Sequence, residues 1–286
     1  MTRFHLPTDS ALDRPGLRWF VSLRRTVSIS LRRKQLCLVR YRNGVASCRY
    51  PGGMVIPFSM PRTPEQLEEH TSATFFRDYR PEPGDVVVEA GAGIGDEVLV
   101  LANLVGSRGR VISIEAHPTL FERLVSLCRL NRLKHVTCVH AALLDEPGTA
   151  LITDAKQSIK NGVVTGEGTI PVPADTLDRL LARLGVERVD FLKMNIEGAE
   201  LRALAGFSSG LERTEHVAVA CHDRRAEKGE ASAFRTKAAV RSLLESRGFK
   251  VNDGLEERNP WDRDYLYARA GRLKGARAAS SRRVPA

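Results

Sequence analysis

From residue 85 onward, short apolar runs alternate with stretches in which apolar residues recur every three or four positions. Residues 86–90, Val-Val-Val-Glu-Ala, form an apolar run with one acid, the pattern of a strand covered on both faces. Residues 95–105 continue as a helix and 111–116 as a second strand. In 118–131, Leu120, Leu124 and Leu127 share one helical face. Residues 136–144 predict a third strand and 149–172 an irregular excursion with hairpin character. Leu177, Leu180, Leu181 and Leu184 mark the next helix. A strand over 189–196, a helix over 199–205, a strand over 217–221 and a helix over 234–247, ended by Gly248, follow. Residues 250–251 and 265–269 are the last strands. This alternation predicts an α/β fold with a mostly parallel sheet and right-handed crossovers. The last two strands are separated by a loop, which predicts a C-terminal antiparallel hairpin.

The first sixty residues follow another rhythm. Val27-Ser28-Ile29-Ser30-Leu31 and Leu36-Cys37-Leu38-Val39, with Asn43-Gly44 and Gly52-Gly53 as turns, predict a small antiparallel β element. Residues 63–79 predict a helix, with Thr63 as N-cap and Pro64 at its first position; Pro81, Pro83 and Gly84 then break the chain. The division expected is a basic β-rich extension over 1–62, a catalytic domain over 63–270 and a flexible basic tail over 271–286.

Composition sharpens this division. The chain has 286 residues, 42% of them hydrophobic, enough for a large core. Its net charge of +10 suggests nucleic acid until it is divided along the chain. Residues 1–50 hold 11 basic residues against 2 acids, 270–286 hold 5 against none, and 51–269 hold 28 against 32. The charge is in the ends, where a basic arm serves RNA, an acidic membrane surface or solvation alone. The apolar stretch at 17–23 runs into Arg24 and Arg25 and is too short for a signal peptide or a membrane span. The five cysteines form no CxxC pair, which favours buried reduced thiols in a cytoplasmic protein. No His/Cys spacing resembles a zinc site, so no metal is expected.

Three strand ends carry the chemistry. The first is Glu89-Ala90-Gly91-Ala92-Gly93-Ile94-Gly95, at the expected junction of strand and helix. Glycines there permit positive φ and let a ligand approach bare backbone. The acid before them suits the amino group of an aminoacyl nucleoside and repels a pyrophosphate, and the spacing departs from GxGxxG. The second is Glu115, placed to accept hydrogen bonds from both ribose hydroxyls. Ala116 follows it, and His117 either lines the same pocket or caps the next helix. The third is Lys193-Met194-Asn195-Ile196-Glu197-Gly198-Ala199-Glu200, downstream of Asp175-Thr176-Leu177-Asp178. Alternation puts Lys193, Asn195 and Glu197 on one face. Lys193, between Leu192 and Met194, is expected partly buried against Glu197 or Glu200, either as a structural ion pair or as part of a site. His222, after the next strand, is either structural or a general base.

Together the glycine turn, the Glu115 strand end and the 193–200 segment resemble the FkbM-type methyltransferases, over residues 84–207. The resemblance implies a Rossmann-like class I methyltransferase sheet, S-adenosylmethionine as donor, and O-methylation of a sugar, polyketide or other small acceptor. It implies that Glu89 holds the donor's amino group, that Gly91, Ala92, Gly93 and Gly95 face it with backbone, and that Glu115 takes the ribose. Ala141, Ala142 and Leu143 would flank adenine. Where the family has Asp, this chain has Asn195, which orients a hydroxyl but takes no proton; His222, then Lys193, then Glu197 are the candidate bases. Two other readings stay open: an RNA methyltransferase docked by the basic arm, and a nucleoside-binding scaffold without turnover.

Overall fold

The computed structural model describes residues 15–42, 45–57, 60, 62–152, 163–164, 170–230, 232–254 and 262–271. The expectations for Asn43-Gly44 and for the tail beyond residue 271 lie outside these residues.

The N-terminal region corrects one expectation. Residues 27–31 are not a strand but the end of helix α1 (Pro15–Arg33). Trp19, Leu23, Val27 and Leu31 recur every four residues, and this period overrides the two-residue alternation within 27–31. The polar partners of that alternation anchor the helix: Thr26 Oγ1 accepts from the Val39 amide at 2.9 Å, and Ser30 Oγ from the Cys37 amide at 3.0 Å. Strands β1 (Leu38–Arg42), β2 (Val45–Arg49) and β3 (Val55–Pro57) then form the expected antiparallel sheet, in the order β1-β2-β3.

Helix α2 (Pro64–Phe75) starts where expected and ends sooner. Its capping box is complete: the Gln66 amide donates to Thr63 Oγ1, and the Thr63 amide to Gln66 Oε1. Next come β4 (Val86–Ala90), α3 (Asp96–Val105), β5 (Arg110–Glu115), α4 (Pro118–Leu130) and β6 (Val136–His140). The single strand expected over 136–144 is divided. After β6, Ala141 donates its amide to Glu115 O, and β7 (Ala142–Leu143) leaves for a second sheet with β8 (Gly148–Ile152), β9 (Val163–Val164) and β10 (Ile170–Asp175). The excursion is therefore a small sheet of order β7-β10-β8-β9.

The chain returns through α5 (Leu177–Arg183) to β11 (Val189–Met194), α6 (Glu200–Ala205), α7 (Ser208–Leu211), β12 (Thr214–Ala220), α8 (Asp223–Glu227), α9 (Lys237–Ser246), β13 (Phe249–Asp253) and β14 (Tyr265–Ala270). The main sheet runs β13-β14-β12-β11-β4-β5-β6. It is parallel from β12 to β6, and β14 is antiparallel to both β12 and β13, which is the expected hairpin.

Period-two alternation divides the core between the two faces. Val88, Ile112, Leu192 and Val217 pack beneath Leu177, Leu181, Val240 and Leu244. Val87, Val111, Phe191 and Ala218 pack beneath Phe75, Leu101 and Val105. The N-terminal sheet shares this second side: Cys37, Val39, Cys48 and Ile56 meet Leu67, Leu99 and Leu127. All five cysteines are free, and only Cys138 is less than fully buried. From β4 the chain proceeds outward to β5 and β6 on one side and later returns to β11 on the other. The carboxyl end of β4 is thus a topological switch point, where open α/β sheets bind ligands.

Candidate active site

The turn over residues 91–95 is built for bare backbone. Gly91 has φ +79°, and a Cβ there would lie 1.9 Å from the Asn195 carbonyl oxygen. That close approach ties three strand ends together. The Gly91 and Ala92 amides donate to Ile114 O at 2.9 and 3.0 Å, and the Asn195 amide to Ala90 O at 2.9 Å. Gly95, φ +92°, opens α3, and a Cβ there would strike Leu124 and Leu127 of α4.

Glu115 ends β5, buried, with both carboxylate oxygens engaged. Oε2 accepts from the Gly93 amide at 2.7 Å and Oε1 from the His117 amide at 2.8 Å. Each oxygen keeps acceptor capacity for a further donor. His117 is the N-cap residue of α4 but makes no side-chain capping bond.

A cavity of about 320 Å³ opens at these strand ends, within the range of small-molecule sites. Gly91, Ala92 and Gly93 line it from the turn, Glu115, Ala116 and His117 from the end of β5, Ala141, Ala142 and Leu143 from the β6–β7 junction, and Lys193, Asn195 and Glu197 from the end of β11. Three expected site residues, Glu89, Gly95 and His222, do not line it.

Glu89 is on the same sheet face as Glu115, since it pairs in register with Ser113, two residues before. Its carboxylate is fully buried. Ser113 Oγ donates to Oε2 at 3.1 Å, and Lys193 Nζ is 3.4 Å from Oε1. Burial pushes the Glu89 carboxyl up to about 7 against the opposing pull of Lys193. Fully buried and absent from the lining, its carboxylate does not face the cavity, where the role expected of Glu89 toward a donor's amino group would place it.

Lys193 also departs from expectation: it is wholly buried, and its partners are Glu89 and Glu97, not Glu197 or Glu200. Its Nζ donates to Gly91 O at 3.0 Å and lies 4.9 Å from the Phe75 ring centroid. Burial opposes its charge, yet Glu97, Glu89 and Asp96 hold its pKa above the ordinary lysine value. It is a fixed cation, unsuited to accept a proton.

The expected alternation stops at Met194, where β11 ends. Glu197 has φ +54° and Gly198 +101°, so the chain turns and Glu197 swings toward His222. His222 Nε2 is 3.2 Å from Glu197 Oε1, and Nδ1 is 2.9 Å from Glu200 Oε1. Burial opposes its charge, but these two carboxylates push its pKa up to about 10. With both nitrogens engaged by carboxylates and no place on the lining, His222 fits the structural alternative better than that of general base. Arg225 Nη1 donates to Glu197 Oε2 at 2.6 Å and stacks on Phe234. Burial raises the Glu197 pKa, but His222 and Arg225 lower it further, so Glu197 is a weak base.

Asn195 is different. The residue lines the cavity, and its Oδ1 is buried with no hydrogen-bond partner. Such an acceptor costs about 1–3 kcal/mol unless a ligand supplies the donor.

Sequence reasoning missed Arg62, His70, Asp96 and Glu97, all on the lining. Asp96 and Glu97 carry a readable signal, two acids in the first turn of the helix after the glycines. Arg62 Nη1 meets Asp96 Oδ2 at 3.3 Å. Burial, then Glu97, pushes Asp96 up to about 7. Burial and Arg62 lower the His70 pKa. Four carboxylates on the lining, at Asp96, Glu97, Glu115 and Glu197, outnumber the cations Arg62 and Lys193, a balance suited to a positively charged ligand.

The model of the methyltransferase FkbM domain matches residues 89–251, more than half of the chain. No curated protein matches. Among solved structures, an FkbM methyltransferase from Methylobacillus flagellatus is similar at 17% identity and a TM-score of 0.49, covering 72% of this chain. This chain spans 50% of that protein's length. Aeropyrum pernix fibrillarin with natively bound S-adenosylmethionine is similar at 15% identity and a TM-score of 0.45, over 82% of this chain and 88% of that one. An O-methyltransferase from Bacillus cereus is similar at 14% identity and a TM-score of 0.44, over 73% and 82%. The family match runs from the acid before the glycine turn to the strand after α9, and so encloses the strand ends that build the cavity: the chain belongs to the FkbM family of S-adenosylmethionine-dependent methyltransferases.

Proposed function

We propose that this chain transfers a methyl group from S-adenosylmethionine to an oxygen of a small or carbohydrate-like acceptor. One observation carries the donor half of this reading: buried Glu115, oriented by two backbone amides, presents its remaining acceptor capacity to the cavity, as a ribose diol requires. The rest of the lining fits the same nucleoside. The turn at Gly91 offers backbone where a Cβ has no room. Ala116, Ala141 and Ala142 leave space beside Leu143 for a flat base. Asp96 and Glu97 take over the electrostatic role first expected of Glu89, facing a cationic amino-acid end.

When bound, S-adenosylmethionine supplies an electrophilic methyl group on a sulfonium. The protein's work is positioning and proton removal. Asn195 Oδ1 accepts a hydrogen bond from a hydroxyl of the acceptor beside the one that is methylated, and so aligns the reacting oxygen. His70 takes the proton: its lowered pKa leaves the imidazole neutral at pH 7, and it lines the cavity. This assigns to His70 the role that the clasp around His222 forbids there.

Calorimetry with S-adenosylmethionine tests the donor half. Glu115→Gln loses roughly 10–100-fold in affinity, the range of a charge-assisted hydrogen bond; unchanged affinity refutes the pocket. His70→Gln keeps donor affinity and loses roughly 100-fold or more in kcat. The acceptor is found by incubating the protein with labelled donor and a metabolite extract, and a label on nitrogen or carbon would refute oxygen transfer.

A further inference from the structure

Helix α1 presents its large apolar residues to the outside. Trp19, Leu23, Val27 and Leu31, spaced by four, form one row along the helix, with Phe20 beside it. Trp19 is 71% and Leu31 74% exposed, and Phe20, Leu23 and Val27 are exposed as well. Residues flanking and behind this row are the ones that pack. Thr26 and Ser30 bond to the chain at β1, and Ile29 joins the core beneath the N-terminal sheet. This reverses the usual surface helix, whose apolar stripe faces the core. Single exposed apolar residues are ordinary, but a contiguous row of five is not. Leu36 and Leu38, also exposed, follow just beyond the helix end.

Charge selects what covers the row. The 19 residues of α1 contain five arginines and no acid, and Arg24 and Arg32 are exposed. The first 50 residues carry 11 basic residues against 2 acids, whereas residues 51–269 carry more acids than bases. An acid-free, Arg-bearing helix with Trp, Phe and Leu on its open face matches the chemistry of an anionic bilayer surface. Rings and aliphatic chains enter the acyl boundary while guanidinium groups meet phosphates. At 1.5 Å per residue the helix is about 28 Å long, enough to lie flat with the whole row inserted. No helix among the described residues is long and apolar enough to cross a membrane, so the contact is superficial. We infer that α1 docks the protein on an anionic lipid surface, with the row from Trp19 to Leu31 as its inserting face.

The full chain is floated with vesicles of phosphatidylcholine alone and of phosphatidylcholine mixed with phosphatidylglycerol. In a Trp261→Phe background, Trp19 is the one tryptophan of the chain and reports its own environment. Binding to the mixed vesicles, with a blue shift of Trp19 emission, is the expected result. Leu23→Glu/Leu31→Glu keeps the thermal midpoint, because both positions are exposed, and loses binding more than tenfold. Neutralising Arg24 or Arg32 with Gln costs roughly fivefold each and less at high salt. Equal binding to neutral vesicles, or no emission shift on the mixed ones, overturns the inference. So does a dimer in light scattering that Leu23→Glu/Leu31→Glu dissociates while wild type ignores vesicles, or RNA binding in place of vesicle binding. No methyl donor is present, so these outcomes are independent of the catalytic reading.

Discussion

The two halves of the cavity are built by different means. The half at the ends of β4 and β5 is mostly backbone: a glycine turn, a carbonyl against Gly91, and two amides that orient Glu115. The half at the end of β11 rests on side chains fastened to one another: Lys193 to Glu89 and Glu97, and Glu197 to Arg225 and to His222, which also meets Glu200 behind the lining. Backbone construction tolerates little variation. Side-chain construction can be exchanged residue by residue. Asn195, its Oδ1 unpartnered, lies where the halves join.

Lys193→Met strikes that seam and carries the largest expected effect. It leaves Glu89 buried with Ser113 as its remaining partner, a loss of about 3–5 kcal/mol at pH 8 by denaturant unfolding. The loss shrinks as pH falls. Burial already pushes Glu89 up to about 7, and without Lys193 the carboxyl rises further. Between the ordinary carboxyl range and that raised value the folded variant holds a proton that the unfolded chain has released, so its stability declines as pH rises. Adding Glu89→Gln restores much of the loss. A small, pH-independent loss would show that the pair does not brace the site.

Gly91→Ala tests the backbone half. The residue has φ +79°, and the new Cβ meets a carbonyl oxygen that three strand ends hold in place. The expected cost is about 2–4 kcal/mol, with donor binding lost in the fraction that remains folded. If the variant keeps both, that half is more compliant than its hydrogen bonds imply.

What the sequence disclosed follows the same division. The glycine turn, Glu115 at a strand end, the strand–helix alternation of an α/β sheet and the final hairpin were legible because each rests on a local pattern. The parting of β6 from β7 was not: residues 136–144 are continuously strand-like, and the break is imposed by β10, some thirty residues on, which pairs with Ala142 and Leu143. Residues 27–31 satisfied two periods at once; the longer row from Trp19 favours helix, and the Thr26 and Ser30 contacts with the chain at β1 anchor it. Lys193 sits 104 positions from Glu89, and His222 is 22 from Glu200, so neither pairing has a local trace. His70 reaches the lining because α2 packs across the sheet, which its own sequence does not announce.

A smaller effect separates the halves by charge. Asp96 lines the donor side, and burial, then Glu97, pushes it up to about 7. A cationic donor favours the ionised form, so affinity for S-adenosylmethionine rises severalfold between pH 6 and 8 in the wild type. Asp96→Asn binds more weakly and removes the slope, as calorimetry at several pH values records. A slope retained in the variant assigns the titration elsewhere, His70 or Glu89 first.

His222→Gln has a small expected effect on turnover and separates a clasp from a catalyst. The folded-state pKa of His222 is raised to about 10 by Glu197 and Glu200, against an ordinary value of 6.5. The folded protein therefore keeps a proton that the unfolded chain releases between these values. The stabilisation is fully present below about pH 6.5 and is lost as pH rises toward 10. Glutamine donates one neutral hydrogen bond in its place and carries no charge, so the variant is less stable at pH 7 and its stability is flatter across that window. The rate at pH 7 falls by less than about tenfold, because Glu197 shifts while no proton acceptor is removed. A collapse of the rate by a factor of 100 or more, with an unchanged pH dependence of stability, would return the base to His222 and dissolve the distinction between the two histidines.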